Sequence, residues 1–230
     1  MLRPGSLLLF CFTSAVFAED WPQFRGPTGQ GISAETGLAL TWSEKESVRW
    51  KTAIPGRGWS SPAIAGGRIW LTTATESGRS LRAVSVDAES GKITRDVEVF
   101  RVANPGAIHE KNSHASPTAL IEGDRVYVHY GPQGTACLTS DGAVVWQTRL
   151  AYAPGHGSGG SPVLYDDLLI VACDGTDVQY VIALDKTTGK QRWKRERQGL
   201  MAFSTPLVFR AEGGDQVVSV GGRRTVAYEP

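Results

Sequence analysis

The sequence predicts an all-β fold, a β-propeller of four-stranded antiparallel blades, with about four blades present and the ring incomplete. Three observations predict it. A Ser/Thr-Pro step followed by an alternating apolar run returns at Ser61-Pro62, Ser116-Pro117, Ser161-Pro162 and Thr205-Pro206. The intervals are 55, 45 and 44 residues, and a four-stranded blade takes about 40–45. No stretch spaces its apolar residues as an amphipathic helix does, at i, i+3, i+4 and i+7. Finally, 27 Gly, 12 Pro and seven Trp suit short strands joined by tight turns. An immunoglobulin-like sandwich also uses short strands, but its sequence does not repeat at such a period.

The chain opens on a secretory leader at residues 1–18. Arg3 supplies the positive start, Leu7 to Phe17 an apolar core too short to span a bilayer, and Val16-Phe17-Ala18 the small residues for cleavage near Ala18. Cys11 is no lipid anchor, because it lies inside that core behind the bulky Phe10. The mature chain is therefore expected outside the cytoplasm, periplasmic or extracellular. Loss of the leader removes Arg3 and brings the 24 basic residues level with the 23 acidic ones. A neutral chain without basic clusters argues against nucleic acid as a partner, and no later segment is apolar enough to span a membrane.

Residues 19–41 read as a lead-in and 42–230 as repeats. Val48-Arg49-Trp50-Lys51 matches Gln191-Arg192-Trp193-Lys194 and Val144-Val145-Trp146, so residues 42–54 read as a closing strand without its own first three. Blades follow at about 58–100, 113–150, 158–196 and 203–230. Each has a short strand, a turn such as Gly66-Gly67-Arg68 or Asp166-Asp167, a β-rich run such as Ile69 to Thr72 or Leu168 to Ala172, and a third strand such as Tyr180 to Leu184. That strand ends in an Asp-turn, at Asp87 to Lys92, Asp141-Gly142 and Asp185 to Lys190, where Asp accepts from turn amides and Gly takes positive φ. Trp146 or Trp193 then closes the blade, offering a large apolar face to the neighbouring sheet. Thr225 to Pro230 stops where an Asp-turn should begin, so the chain is expected to be a truncated member of its class; a closed four-bladed ring is the alternative.

The run Ala183-Leu184-Asp185-Lys186-Thr187-Thr188-Gly189-Lys190-Gln191-Arg192-Trp193 resembles the PQQ-like repeat family. So does Ala83 to Asp87 with Ser90-Gly91-Lys92, although Ile93 to Val97 lacks the closing Trp. Trp21 to Pro27, with Ser113 to Pro117, is similar to secreted bacterial propellers of the PQQ-binding-like or BamB-like type. The resemblance implies a ring of seven or eight blades. It also raises a quinoprotein oxidoreductase, in which an adjacent Cys-Cys pair lies over pyrroloquinoline quinone and a carboxylate and an Asn hold calcium. This chain has no adjacent cysteines and no matching carboxylate and Asn set that can be placed. A kinase reading finds neither a phosphate loop nor a catalytic Asp/Asn loop.

The loops leading into the blades hold the unusual chemistry. Equivalent loops converge at one mouth of the channel, which makes Trp59, Ser60, Asn112, His114, His156, Ser158 and Ser204 candidate ligand-binding residues. The competing reading is that small residues serve only to relieve crowding at the axis. His109, His114 and His156 lack the fixed spacing of a metal site, and no metal is assigned. Asp174-Gly175-Thr176-Asp177 reads as a hairpin turn rather than a calcium loop. His129 reads as a structural hydrogen-bonder, and Cys137 and Cys173 as buried free thiols. No Gly-x-Ser-x-Gly elbow or carboxylate pair stands out, so no catalytic residue is assigned. The function expected is an exported binding or scaffold propeller of the cell envelope, with a protein partner or small ligand at the mouth. The alternative is a pyrroloquinoline-quinone-dependent alcohol oxidoreductase with calcium.

Overall fold

Four twisted antiparallel sheets stand side by side, each formed by strands that follow one another in the chain. The structure is a computed structural model and describes residues 19–210 and 212–230. The leader expected at residues 1–18 lies outside the described residues. The first sheet holds β1 (Ala63–Ala65), β2 (Arg68–Thr75), β3 (Ser80–Asp87) and β4 (Ile93–Arg101). The second holds β5 (Leu120–Glu122), β6 (Arg125–His129), β7 (Thr135–Thr139) and β8 (Val144–Thr148). The third holds β9 (Val163–Tyr165), β10 (Leu168–Asp174), β11 (Gln179–Asp185) and β12 (Gln191–Glu196). In the fourth, β13 (Leu207–Phe209), β14 (Gln216–Gly221) and β15 (Arg224–Tyr228) form three strands. Among the described residues no helix is long and apolar enough to cross a membrane.

Strand period explains why the sheets stack. Side chains alternate between faces along a strand, so a strand between two neighbours must be apolar on both. In β6, Val126 and Val128 join Trp70, Leu81 and Phe100 of the first sheet, while Tyr127 joins Leu169 and Leu184 of the third. In β10, Leu169 and Val171 face the second sheet, while Leu168 and Ile170 meet Val217 of the fourth. Each sheet gap is thus its own hydrophobic core, and the middle strands of the second and third sheets are apolar on both faces, whereas β14 in the fourth sheet buries Val217 and leaves Val220 exposed.

Two sets of polar contacts tie the stack together. Near the axis, the Ser61 amide donates to Thr118 Oγ1, the Thr118 amide to Ser161 Oγ, and the Ser161 amide to Thr205 Oγ1, at 3.1, 2.9 and 2.9 Å. At the rim, Trp146 of β8 reaches across to the third sheet and donates from Nε1 to Lys186 O at 2.9 Å. Its indole covers Gly189 so closely that an added Cβ there would lie 2.5 Å from the ring, and Gly189 has φ +70°. The Asp-turn beneath is held by Asp185, whose carboxylate accepts from the amides and hydroxyls of Thr187 and Thr188, which holds it well below the usual carboxylate range. The first sheet lacks the Trp. There Val97 packs over Gly142, and Arg95 donates to Asp141 O.

The structure shifts two expectations. The second repeat does not phase on Ser116-Pro117: the hydroxyl in the position of Ser61, Ser161 and Thr205 is Thr118, two residues on, because that is the side chain which receives the preceding sheet's amide. Residues 42–54 form no sheet strand; the segment has one isolated bridge, Ser43 with Glu46. It nevertheless docks as a closing strand docks, through Trp50 Nε1 to Ala88 O at 3.0 Å.

His129 at the end of β6 is fully enclosed. Its Nδ1 meets Thr135 Oγ1 at 2.9 Å, and burial pushes its pKa down to about 4 from 6.5.

Three outcomes are expected. Trp146→Ala should lower unfolding stability by about 3–5 kcal/mol, read from the urea midpoint, and Gly189→Ala should also destabilise while removing no polar contact. His129 should make stability acid-sensitive. Its folded pKa lies below the unfolded value, so the unfolded chain binds the proton first and stability falls as the pH drops from about 6.5 towards about 4, by up to about 3 kcal/mol. Urea midpoints across that window should slope for the parent and flatten for His129→Gln.

Candidate functional site

The lead-in shapes the axial side of the molecule. Trp21 exchanges two main-chain hydrogen bonds with Ile64 of β1, at 2.7 and 2.8 Å, and the amide of Ile121 in β5 donates to Pro22 O at 2.8 Å. The chain then turns tightly under the Trp21 ring at Gly26, with φ +75° and no room for a Cβ. It continues to Gly29, which lies against Leu207 of β13. The innermost strands of the first two sheets are therefore covered by the chain's own extended segment. Opposite them a cleft of about 840 Å³ remains, bounded by Phe24, Arg25 and Gln30 on the lead-in and by Phe203, Leu207 and Phe209 on the far side.

Beside this cleft the blade-leading loops meet. Asn112 bridges two of them: its Nδ2 donates to His156 O at 2.8 Å and to Ser158 O at 3.4 Å, and its Oδ1 accepts from the Ser113 amide and from Ser116 Oγ. His109 and His156 stack edge to face with centroids 5.2 Å apart, and Phe203 lies 6.3 Å from His156. Ser158 Oγ lies 3.2 Å from Tyr152 OH, which is 3.5 Å from Nε2 of the buried His129. Gly131 makes this closeness possible, since a Cβ there would overlap Ser158 Oγ.

The structure thus joins Asn112, His156 and Ser158 directly. The other candidates have separate neighbours. Trp59 is exposed under the Arg57 guanidinium, 5.7 Å from its ring, and its amide donates to Ala115 O. Ser60 Oγ bonds the backbone of Thr72, and Ser204 Oγ that of Val220. His114 turns to Gly106 O and packs on Gly78, away from the His109–His156 pair. Phe203, in the loop that leads into the fourth blade, and Tyr152 belong to this cluster, and Tyr152 carried no signal in the sequence beyond its proximity to the glycine-rich run Gly155 to Gly160.

The groups with nucleophilic or ligating chemistry are already engaged. Burial pushes the Cys137 thiol up to about 11 and the Cys173 thiol up to about 12, and both are free. The Asp174 carboxylate forms a buried ion pair with Arg197, whose Nε donates at 2.8 Å. Asp177 Oδ1 accepts the amides of Ala153 and Val178, holding its pKa below the usual range. Among the described residues, no group of three or more His, Cys, Asp or Glu side chains is arranged to hold a metal ion.

Comparison with known proteins follows the geometry. Among solved structures, a quinohemoprotein alcohol dehydrogenase from Pseudomonas putida HK5 aligns with a TM-score of 0.55 at 15% identity, over 78% of this chain and 27% of that one. The corresponding enzyme from Comamonas testosteroni gives 0.53 at 16%, over 77% and 27%. BamB from Moraxella catarrhalis gives 0.46 at 22%, over 76% and 52%. The aligned part of the chain therefore spans about a quarter of the dehydrogenases and about half of BamB. Identities this low, with the first two scores, speak to a shared propeller fold and not to a shared activity. No curated protein matches the chain by sequence. A family profile described as outer membrane protein assembly factor BamB matches residues 32–156 and 84–230, together the whole of the repeat region, and the chain belongs to that family.

Proposed function

We propose that the chain is an exported binding or scaffold propeller of the cell envelope, and that its cleft beside the axis receives an extended segment of a protein partner. The observation that carries this reading is the lead-in. On one side of the axis, Trp21 and Pro22 already lie along the inner strands through main-chain hydrogen bonds to Ile64 and Ile121. The inner strands β9 and β13 line the cleft on the other side, through Val163, Leu164, Leu207 and Phe209. An incoming strand would gain the same kind of main-chain pairing there, with affinity from the backbone and selectivity from the side-chain pockets. Phe203 and Phe209 are both exposed and offer apolar anchors. The mouth cluster around Asn112 then acts as the rigid wall that positions the cleft.

The oxidoreductase reading fares worse on the residues present, which do not fit a quinone with its calcium. Asn112 Oδ1 is committed to two donors, Asp174 to Arg197, and the two thiols are buried, protonated and in different sheets.

The two readings separate experimentally. A photo-crosslinking residue at Phe209 in the cleft is expected to form adducts with envelope proteins, whereas the same residue at Val145, on an outer strand, is not. The full chain supplied with pyrroloquinoline quinone and calcium is expected to give no dye-linked alcohol oxidation. Oxidation that tracks quinone occupancy would overturn the binding role.

A further inference from the structure

One loop at the mouth is built to move. Residues 153–160 read Ala-Pro-Gly-His-Gly-Ser-Gly-Gly, and the glycines on either side of His156, Gly155 and Gly157, take φ +63° and +92°. A segment so rich in glycine gives up much conformational freedom when it is ordered, so its order has to come from its neighbours. Its two ends are fixed. The Ala153 amide donates to Asp177 Oδ1 at 2.8 Å, and Ala153 O accepts the Thr176 amide at 2.7 Å. Just past Gly160, the Ser161 amide donates to Thr205 Oγ1.

Between these anchors the tip is held by the preceding blade's loop, residues 109–116. The His109 amide donates to His156 O at 3.2 Å, and Asn112 Nδ2 donates to the same carbonyl and to Ser158 O. The imidazoles of His109 and His156 meet edge to face at 5.2 Å, and both residues are exposed to solvent. The protonation state of His109 is set by its own turn. Its Nδ1 accepts the Lys111 amide at 3.2 Å, so the ring is neutral with its hydrogen on Nε2. The next amide, that of Asn112, donates to His109 O at 2.8 Å. The turn that presents Asn112 to the tip is thus built on a neutral His109.

A proton strikes this hold at two points. A hydrogen on His109 Nδ1 would face the Lys111 amide, donor against donor, and that bond would be lost. Two charged rings 5.2 Å apart would also repel each other. The charged groups around them do little to offset this. Glu110 and Lys111 follow His109 and are both exposed, and Arg57 reaches Glu110 O with Nη2 at 2.6 Å. Residues 153–160 and residues 200–204, which bring Phe203 against His156, carry no charge. On the β10–β11 side, Asp174 is bound to Arg197, and Asp177 holds the loop's base with its pKa below the usual range. Beneath the loop, Tyr152 OH lies between Ser158 and His129, whose pKa burial pushes down to about 4. The base therefore stays anchored, and His129 stays neutral, over the range in which exposed histidines charge.

We propose that residues 153–160 form an acid-released latch, clamped on residues 109–116 while His109 and His156 are neutral and let go when they take protons. The bond from Asn112 to His156 O is an exposed one, so water can replace it once the rings part. The tip then moves on its glycines while Ala153 and Ser161 stay in place. Gly159 and Phe203 both line the cleft, so release frees Phe203 from His156 at the cleft wall. The consequence for binding rests on the partner reading of that cleft: acid gives the partner segment more access to it.

Amide hydrogen exchange, corrected for the pH dependence of the chemical rate, reads the latch directly. Residues 153–160 and 109–113 are expected to exchange about tenfold faster at about pH 5 than at about pH 7.5, with β11 unchanged. His156→Phe keeps a ring against His109 and Phe203 that takes no proton, and it is expected to exchange slowly at both values. His129→Gln is expected to respond as the parent does. Equal exchange in the parent at the two values, a response that survives in His156→Phe, or one lost in His129→Gln would each overturn the latch. Fast exchange of His156→Phe at neutral pH would overturn it too, since the imidazole would then serve only as a bonding group. Crosslinking from Phe209 reads the cleft separately. Adducts that fail to rise with acid while exchange does would break the link to the cleft. No adducts at either pH would count against the binding reading and leave the exchange result standing.

Discussion

The stack depends on a chain of hydroxyls near its axis. The first three inner strands are each preceded by a backbone amide that the strand pairing does not use, part-buried at Ser61 and Ser161 and buried at Thr118. Ser61, Thr118 and Ser161 pass that amide to the hydroxyl of the next sheet, at Thr118, Ser161 and Thr205. A net hydrogen bond of this kind contributes about 1 kcal/mol, whereas an unpaired buried amide costs about 1–3 kcal/mol. The relay thus matters less for what it adds than for what its loss would leave exposed in the core. It also fixes the phase of neighbouring sheets, since sliding one by a residue would move its hydroxyl out of reach and turn its apolar face around.

Given that phase, the rim contacts follow. The sheets fan outward, so the gap between them is widest at the outer strand, and only a large side chain can bridge it there. Trp146 does so over Gly189, and Trp50 over Gly91. Where Val97 stands instead, the smaller side chain leaves the gap to Arg95, whose guanidinium reaches Asp141. The same junction is therefore closed by two chemistries, one apolar with a single hydrogen bond and one charged and more exposed.

This explains what the sequence disclosed. The period, the Asp-turns and the closing Trp residues are local patterns, and each was legible because turn geometry and strand alternation act over a few residues. Ser116-Pro117 misled because it imitates the motif locally, while the function of the motif is to receive a bond from about 57 residues earlier, at Ser61. Thr118 could be identified only once both sheets were in place. The mouth divided in the same way. Asn112, His156 and Ser158 converge as their loop positions imply, but His114 is drawn away by Gly106 and Gly78, neighbours that no repeat alignment supplies. The lead-in was the least legible element. Trp21-Pro22 pairs with strands about 40 and 100 residues ahead, without periodicity of its own to announce it.

The junction between the third and fourth sheets carries a polar link of a different kind. There the closing indole of Trp193 has no carbonyl to meet. The buried polar link is made elsewhere: Arg197, just past β12, pairs with Asp174 at the end of β10 and extends Nη1 to Ser219 O of β14. An ion pair taken out of water is costly unless both partners are well bonded, and one partner alone costs more than the pair. Arg197 meets that condition with Nε and Nη2 on Asp174 and directs its third nitrogen, Nη1, to the fourth sheet, so the guanidinium holds the neighbouring sheet and its own carboxylate at once. The same bond occupies the Asp174 carboxylate at the loops it borders, which makes this junction a device for holding sheets together.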